Sequence, residues 1–202
     1  LKDNFSGVKG ALSGNLTLDG TTKTPMLNGK LLLQKSAITV DYLQTRYHIT
    51  HQLDVENNKL IFNKANVFDN KGNQAVLDGE IDFQNFKNLS YGLKIDAEKF
   101  QALNTSSIHN SIYYGTGYVS GLVNIQGNTS TNLLGIDASV STNENTIINL
   151  PINSSKEQEK TKFVTFTSKD GEDISDETQE YSVDLSGVDM NFDLDITPQA
   201  ET

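Results

Sequence analysis

The chain has 202 residues, no cysteine and a formal net charge of −10. That charge leaves no basic stripe for phosphate neutralisation, so nucleic acid is not a partner, and it excludes polybasic docking to anionic headgroups. The missing cysteines exclude a disulfide framework, thiol catalysis and thiolate metal sites, and 36% hydrophobic residues suit a one-sided sheet better than a thick two-layer core.

Alternation of apolar and polar residues, the signature of strands, begins at Val8 and runs through Leu12, Leu16 and Leu18 with glycines at positions 10 and 14. Gly20 to Pro25 breaks it. A second run takes Leu27, Gly29, Leu31 and Leu33, then restarts at Ile38, Val40 and Tyr42. Tyr47, Ile49, His51, Leu53 and Val55 make a third, closed by Asn57-Asn58. Leu60 and Phe62 stand in one register and Ala65 and Val67 in the other, which predicts a bulge at Asn63-Lys64. Asp69-Asn70-Lys71-Gly72-Asn73 predicts a hairpin turn. Further strands follow at Ala75, Leu77, Gly79, Ile81 and Phe83, and at Tyr91, Leu93, Ile95 and Ala97.

Residues 98–112 lose the rhythm and read as a short helical turn or a crossing loop. Strands resume with Gly117, Val119, Gly121, Val123 and Ile125, then with Leu134, Ile136, Ala138 and Val140, with a shorter one from Thr146 to Pro151. Residues 153–181 are acidic and Ser/Thr-rich and read as a mobile loop. A last strand takes Val188, Met190, Phe192, Leu194 and Ile196. No long helix is predicted, and the class expected from turns every 8 to 12 residues or so is an all-β meander. No run reaches the roughly 18 apolar residues of a membrane-crossing helix. The start at Leu1, without a signal-peptide pattern, reads as an internal piece of a longer protein.

Catalytic and metal chemistry finds little support. His48 and His51 fall on opposite faces of one strand and do not share a metal. Asp19, Asp41, Asp54, Glu80 and Asp82 stand at outward positions of different strands, which describes a solvated face rather than an acid/base pair. Gly115-Thr116-Gly117 with Gly121 has the wrong spacing for a dinucleotide loop, and the Asp69 and Asp170 turns do not fit an EF-hand ligand pattern. No enzyme activity, metal or cofactor is expected.

The apolar register admits two readings: the inside of a sandwich or barrel, or the lining of a groove that carries something apolar. Glycines in that register, at 10, 14, 29, 79, 121 and 127, favour the groove, because glycine inside a strand marks curvature or close approach.

An ordered series of motifs resembles the C-terminal region of TamB-like proteins, the translocation and assembly module family of Gram-negative envelopes, Bacteroidota type. It runs Pro25-Met26-Leu27-Asn28-Gly29-Lys30-Leu31, Val40-Asp41-Tyr42-Leu43-Gln44-Thr45-Arg46-Tyr47, Phe68 to Ala75 and Leu77-Asp78-Gly79-Glu80-Ile81. It continues with Phe86-Lys87-Asn88, Phe100-Gln101-Ala102-Leu103-Asn104-Thr105, Tyr113 to Gly117 and Leu194-Asp195-Ile196-Thr197-Pro198. The resemblance implies an elongated, U-shaped antiparallel β-groove (a β-taco) with a hydrophobic interior, related to AsmA-like and bridge-like lipid transfer proteins. It also implies a periplasmic location, in a protein anchored in the inner membrane that reaches a BamA-like, TamA-type barrel in the outer membrane.

The expected organisation is groove strands over 1–152 with a break near 98–112, the acidic loop over 153–181, and a final strand within 182–202. The expected lining is Leu12, Leu16, Leu18, Leu31, Leu33, Ile38, Val40, Ile49, Leu53, Val55, Leu77, Ile81, Phe83, Leu93, Ile95, Val119, Val123, Ile125, Leu134 and Ile136. Its expected cargo is phospholipid acyl chains moving between the inner and outer membranes. The alternatives are a chaperone-like module that assists outer-membrane protein assembly by strand pairing, and a repeat-type structural or adhesin module with a closed core. Open sheet edges lead us to expect a homo-oligomer.

Overall fold

The computed structural model describes residues 5–83, 88–109, 113–131, 133–150 and 188–198. Among them lie ten strands and no helix: β1 (Phe5–Gly20), β2 (Pro25–Val40), β3 (Thr45–Glu56), β4 (Lys59–Phe68), β5 (Gln74–Asp82), β6 (Ser90–Thr105), β7 (Tyr114–Asn128), β8 (Leu133–Thr142), β9 (Ile147–Asn149) and β10 (Val188–Asp195). They form one open sheet in chain order from β1 to β8, with β10 beyond β8 and β9 beside the start of β7. The acidic segment 153–181 and the Phe86-Lys87 motif lie outside the described residues.

Tight turns make neighbours antiparallel. Asn57 and Asn58 both take positive φ, 49° and 64°, as the two central residues of a hairpin turn whose twist suits its strands. The Asn58 side chain then clamps the start of β2, accepting from the Leu27 amide at 2.7 Å and donating to the Pro25 carbonyl at 2.8 Å. All ladders from β1 to β8 are antiparallel. β10 departs from the all-antiparallel expectation and pairs parallel with β8. A parallel neighbour needs a long return path rather than a hairpin, and 38 residues separate β9 from β10.

Bulges keep the apolar residues on one face where the sequence changes parity. The expected one lies between Phe62 and Ala65, with Lys64 at φ 49°. Two more occur in β2 between Leu33 and Ser36, with Lys35 at φ 47°, and in β6 between Ala97 and Phe100, with Lys99 at φ 49°. The amides displaced from their ladders find hydroxyls on the next strand: Lys35 donates to Thr50 Oγ1 at 3.0 Å and Lys99 to Ser120 Oγ at 2.9 Å. The bulge at Lys99 also explains a difference from the sequence reading. Strand β6 continues through 98–105, and the phase shift there imitates a loss of alternation.

Glycine permits the closest backbone approaches. At Gly79 φ is +133° and a Cβ would stand 2.1 Å from the Gly92 carbonyl oxygen; at Gly121 φ is +138° and a Cβ would stand 2.3 Å from that of Ser139. No L-side chain fits either place.

The sheet therefore curls on its apolar side. Beyond the tip of the short β4–β5 hairpin, β3 and β6 meet: the Tyr47 and Phe100 rings stack with centroids 5.0 Å apart. Leu53, Phe62 and Ala65 form a buried cluster against Leu31, Leu33, Ile49, Leu60, Leu77, Ile81 and Leu93, side chains from β2 through β6. A second cluster joins Ala75, Ala97 and Phe100 with Tyr47, Val67 and Ile95.

Candidate functional site: the apolar inner face

Residues directly paired across a ladder share a face, so the ladders give the inner surface row by row. One row runs Leu16–Gly29–Val55–Leu60–Ile81–Tyr91–Gly127–Leu134 across eight strands. Another runs Ala65–Leu77–Ile95–Val123–Ala138–Phe192. A third pairs Gly79, Leu93, Ile125, Ile136 and Met190. Leu12 with Leu33, Leu18 with Leu27, Leu31 with Leu53, Ile38 with Tyr47, Val40 with Thr45, Ile49 with Val67 and Phe100 with Val119 complete it. Phe83 follows Ile81 in the same phase, just past β5. Nineteen of the twenty residues named from the sequence stand on this face in the ladders, and Phe83 lies just beyond them.

Sequence reasoning omitted several members. Phe62 shares its register with Leu60 but is missing from the expected lining, and Phe100 follows the bulge at Lys99, which the sequence reading does not recognise. Ala65, Ala75, Ala97 and Ala138 are among the most buried residues, yet alanine carries a weak hydrophobic signal. Met190, Phe192 and Leu194 of β10 also join the face through their ladder with β8. His51 pairs with Leu33 and lies on this side, whereas His48 lies outside with Nε2 3.0 Å from Asn70 Oδ1.

Burial changes along the sheet. Leu53 is 1% exposed and Ala65 0%, but Leu12 is 61% exposed on β1 and Phe192 58% on β10. The centre is covered by its own curled walls; toward both edges the same apolar stripe is open.

One wall is pinned by polar groups. The buried Asp69 carboxylate caps its own turn, accepting from the amides of Lys71 at 2.8 Å and Asn73 at 2.9 Å and from Asn73 Nδ2 at 2.8 Å. It also accepts from the Gln101 amide of β6 at 3.0 Å. Tyr47 donates to the Gln101 carbonyl at 3.0 Å and accepts from Thr45 Oγ1 at 2.9 Å. Burial pushes the Tyr47 phenol up to about 12; the Thr45 hydroxyl opposes the shift and the Asp69 charge adds to it. Tyr118 is raised for the same first reason, with Asp69 again contributing. Asn104 donates its amide to the Leu43 carbonyl at 2.9 Å, and the Tyr42 and Tyr113 hydroxyls bond each other.

The outer face is polar. Lys59 bonds Glu80 at 2.6 Å, which raises the lysine's pKa, and Lys30 stands 3.6 Å from Asp54. An open depression of about 750 Å³ there is lined by Lys64, Asp78, Lys94, Asp96, Asn124 and Gln126 among others. Among the described residues, no three His, Asp or Glu side chains converge as metal ligands.

An open all-β sheet curled around one continuous apolar face defines the class of β-groove proteins. The TamB C-terminal domain family matches residues 63–202, well over half of the chain. The chain belongs to the TamB family, the translocation and assembly module proteins. Comparisons with curated proteins and with solved structures returned no match.

Proposed function

We propose that the chain is a segment of an apolar conduit, carrying phospholipid acyl chains between the inner and outer membranes of a Gram-negative envelope. The observation that carries this reading is the inner face: one unbroken stripe over nine strands of a single sheet, open at both edges. An acyl chain laid along it gains about 0.8 kcal/mol per buried methylene, while the headgroup stays with water at the rim. The role is passive. The groove lowers the cost of crossing an aqueous space, and direction comes from elsewhere. The inner-membrane anchor and a BamA-like barrel partner belong to this proposal, as does a non-enzymatic role.

A second reading, assistance to outer-membrane protein assembly, is favoured by one feature: the 16-residue strand β1 stands at the edge of the sheet, where among the described residues no strand pairs with its outer row of backbone donors and acceptors, a template for strand addition.

Photo-crosslinking in cells tests the first reading. A photoreactive residue goes at inward Leu16, Leu31 and Val123 and at outward Asn15, Lys30 and Asn124. Phospholipid adducts at the inward positions alone are expected. A well-expressed protein with no adduct at either set would sink lipid carriage and leave the assembly role.

A further inference from the structure

Apart from phenols, ionisable side chains keep to the outer face of the trough, with one exception. At the inward ladder positions of the described residues there is no Asp, Glu, Lys or Arg, and His51 is the one histidine. It sits in the middle of β3, between Ile49 and Leu53 on the same face. It lies opposite Leu33 of β2, which pairs in turn with Leu12 of β1. Among the described residues no hydrogen bond or ion pair engages its ring. By contrast, His48 bonds Asn70 on the outer face and His109 bonds Ser106 within its own turn. His51 is half-buried, so whatever fills the trough comes into contact with it.

No charged group faces it from the strands on either side. On β2 its face is shared by Leu31, Leu33 and Ser36, and on β4 by Phe62 and Ala65. Lys35 and Lys64 occupy the bulges of those strands and are exposed to solvent. Along β3 itself Arg46, His48, Asp54 and Glu56 alternate to the outer side. Tyr47, on the inner side, keeps its proton to about pH 12. Imidazole is the side chain that changes charge between about pH 5 and 8. When neutral it is a compact ring that an acyl chain covers at small cost. When protonated it is a cation with no carboxylate beside it, and a chain laid over it removes its water. A buried, unpaired charge is strongly unfavourable, so proton and cargo compete.

We infer that His51 is the cargo-selecting residue of the trough: acyl chains lie over it when it is neutral and are excluded when it is protonated. This rests on the lipid-carriage reading and adds a condition to it. The sign follows from linkage. Cargo favours the deprotonated ring, so affinity falls as pH falls, and bound cargo resists protonation of the ring by the same factor.

The test titrates the full chain with phosphatidylcholine bearing a pyrene-labelled acyl chain, a lipid whose headgroup keeps its charge from pH 5.5 to pH 8. The native protein should bind it about fivefold or more weakly at pH 5.5 than at pH 8. His51→Gln keeps a polar group that takes no charge, and His51→Leu removes the polar group as well. Each variant should bind equally at the two pH values, within about twofold, with its strand signal in circular dichroism unchanged. His48→Gln combined with His109→Gln should keep the native pH dependence. A pH dependence shared by the native protein and either folded His51 variant would overturn the inference, because another group would then be responsible. A native affinity that does not change with pH would also overturn it. Failure of the native protein and both variants to bind at pH 8 would instead overturn lipid carriage, and the role of His51 with it.

Discussion

Asp69 shows how one side chain holds two elements. Its carboxylate satisfies three donors of its own turn and the Gln101 amide of β6, so removing it takes the acceptor from one buried and three part-buried N–H groups at once. Asp69→Ala should lower unfolding stability by about 3 kcal/mol in urea titrations, and Asp69→Asn by roughly half of that, since its amide oxygen keeps some of these bonds. Tyr47 adds a pH signature. Its folded pKa of about 12 exceeds the free value near 10, so its contribution is complete below pH 10. It is lost as pH rises through 12, because the unfolded chain ionises first. The stability advantage of the native protein over Tyr47→Phe should therefore shrink by about 2 kcal/mol between pH 9 and 12, measured by denaturation at each pH. A constant difference would mean that the phenol is not buried in solution.

At the scale of the strand, phase is what the sequence made legible, the bulge at Asn63-Lys64 included, and the bulge at Lys99 is what it concealed. Alternation located β1 to β5 and the inward residues of β7 and β8, since a period of two needs nothing but local sequence. It lost β6 after Ala97, where Lys99 inserts an extra residue, and with it Phe100 and the closure against Tyr47. A lysine at positive φ carries no signal of its own, unlike the paired asparagines of the β3–β4 turn. The parallel course of β10 was also out of reach, since a strand's direction depends on the path before it. Several glycines of the apolar register stand where the neighbouring backbone approaches closely, and glycines divide by environment. Gly79→Ala forces a Cβ against the Gly92 carbonyl and should cost about 2 kcal/mol or more. Gly92→Ala, with nothing within 4 Å of the added carbon, should stay within about 0.5 kcal/mol. Equal costs in thermal unfolding would show that close approach does not set the curvature.

For the whole molecule, the edges decide behaviour in solution. β1 leaves Val8, Leu12 and Leu18 more than half exposed beside an edge that, among the described residues, no strand pairs, with little of the charge or proline that guards natural edges. The isolated chain should self-associate, and Leu12→Lys with Leu18→Lys should shift sedimentation toward monomer at micromolar concentrations without loss of strand signal in circular dichroism. Among the described residues no layer closes over the sheet, and this has another consequence. A barrel or sandwich fixes its number of strands, because one strand too many leaves a gap or a clash. Here each strand's described ladder contacts come chiefly from its immediate neighbours, so stability accumulates rib by rib. Inserting two strands would preserve both direction and apolar face, and would extend the trough by about 10 Å at the usual strand spacing. Such a trough has no intrinsic length, and the distance it bridges is adjustable by duplication alone.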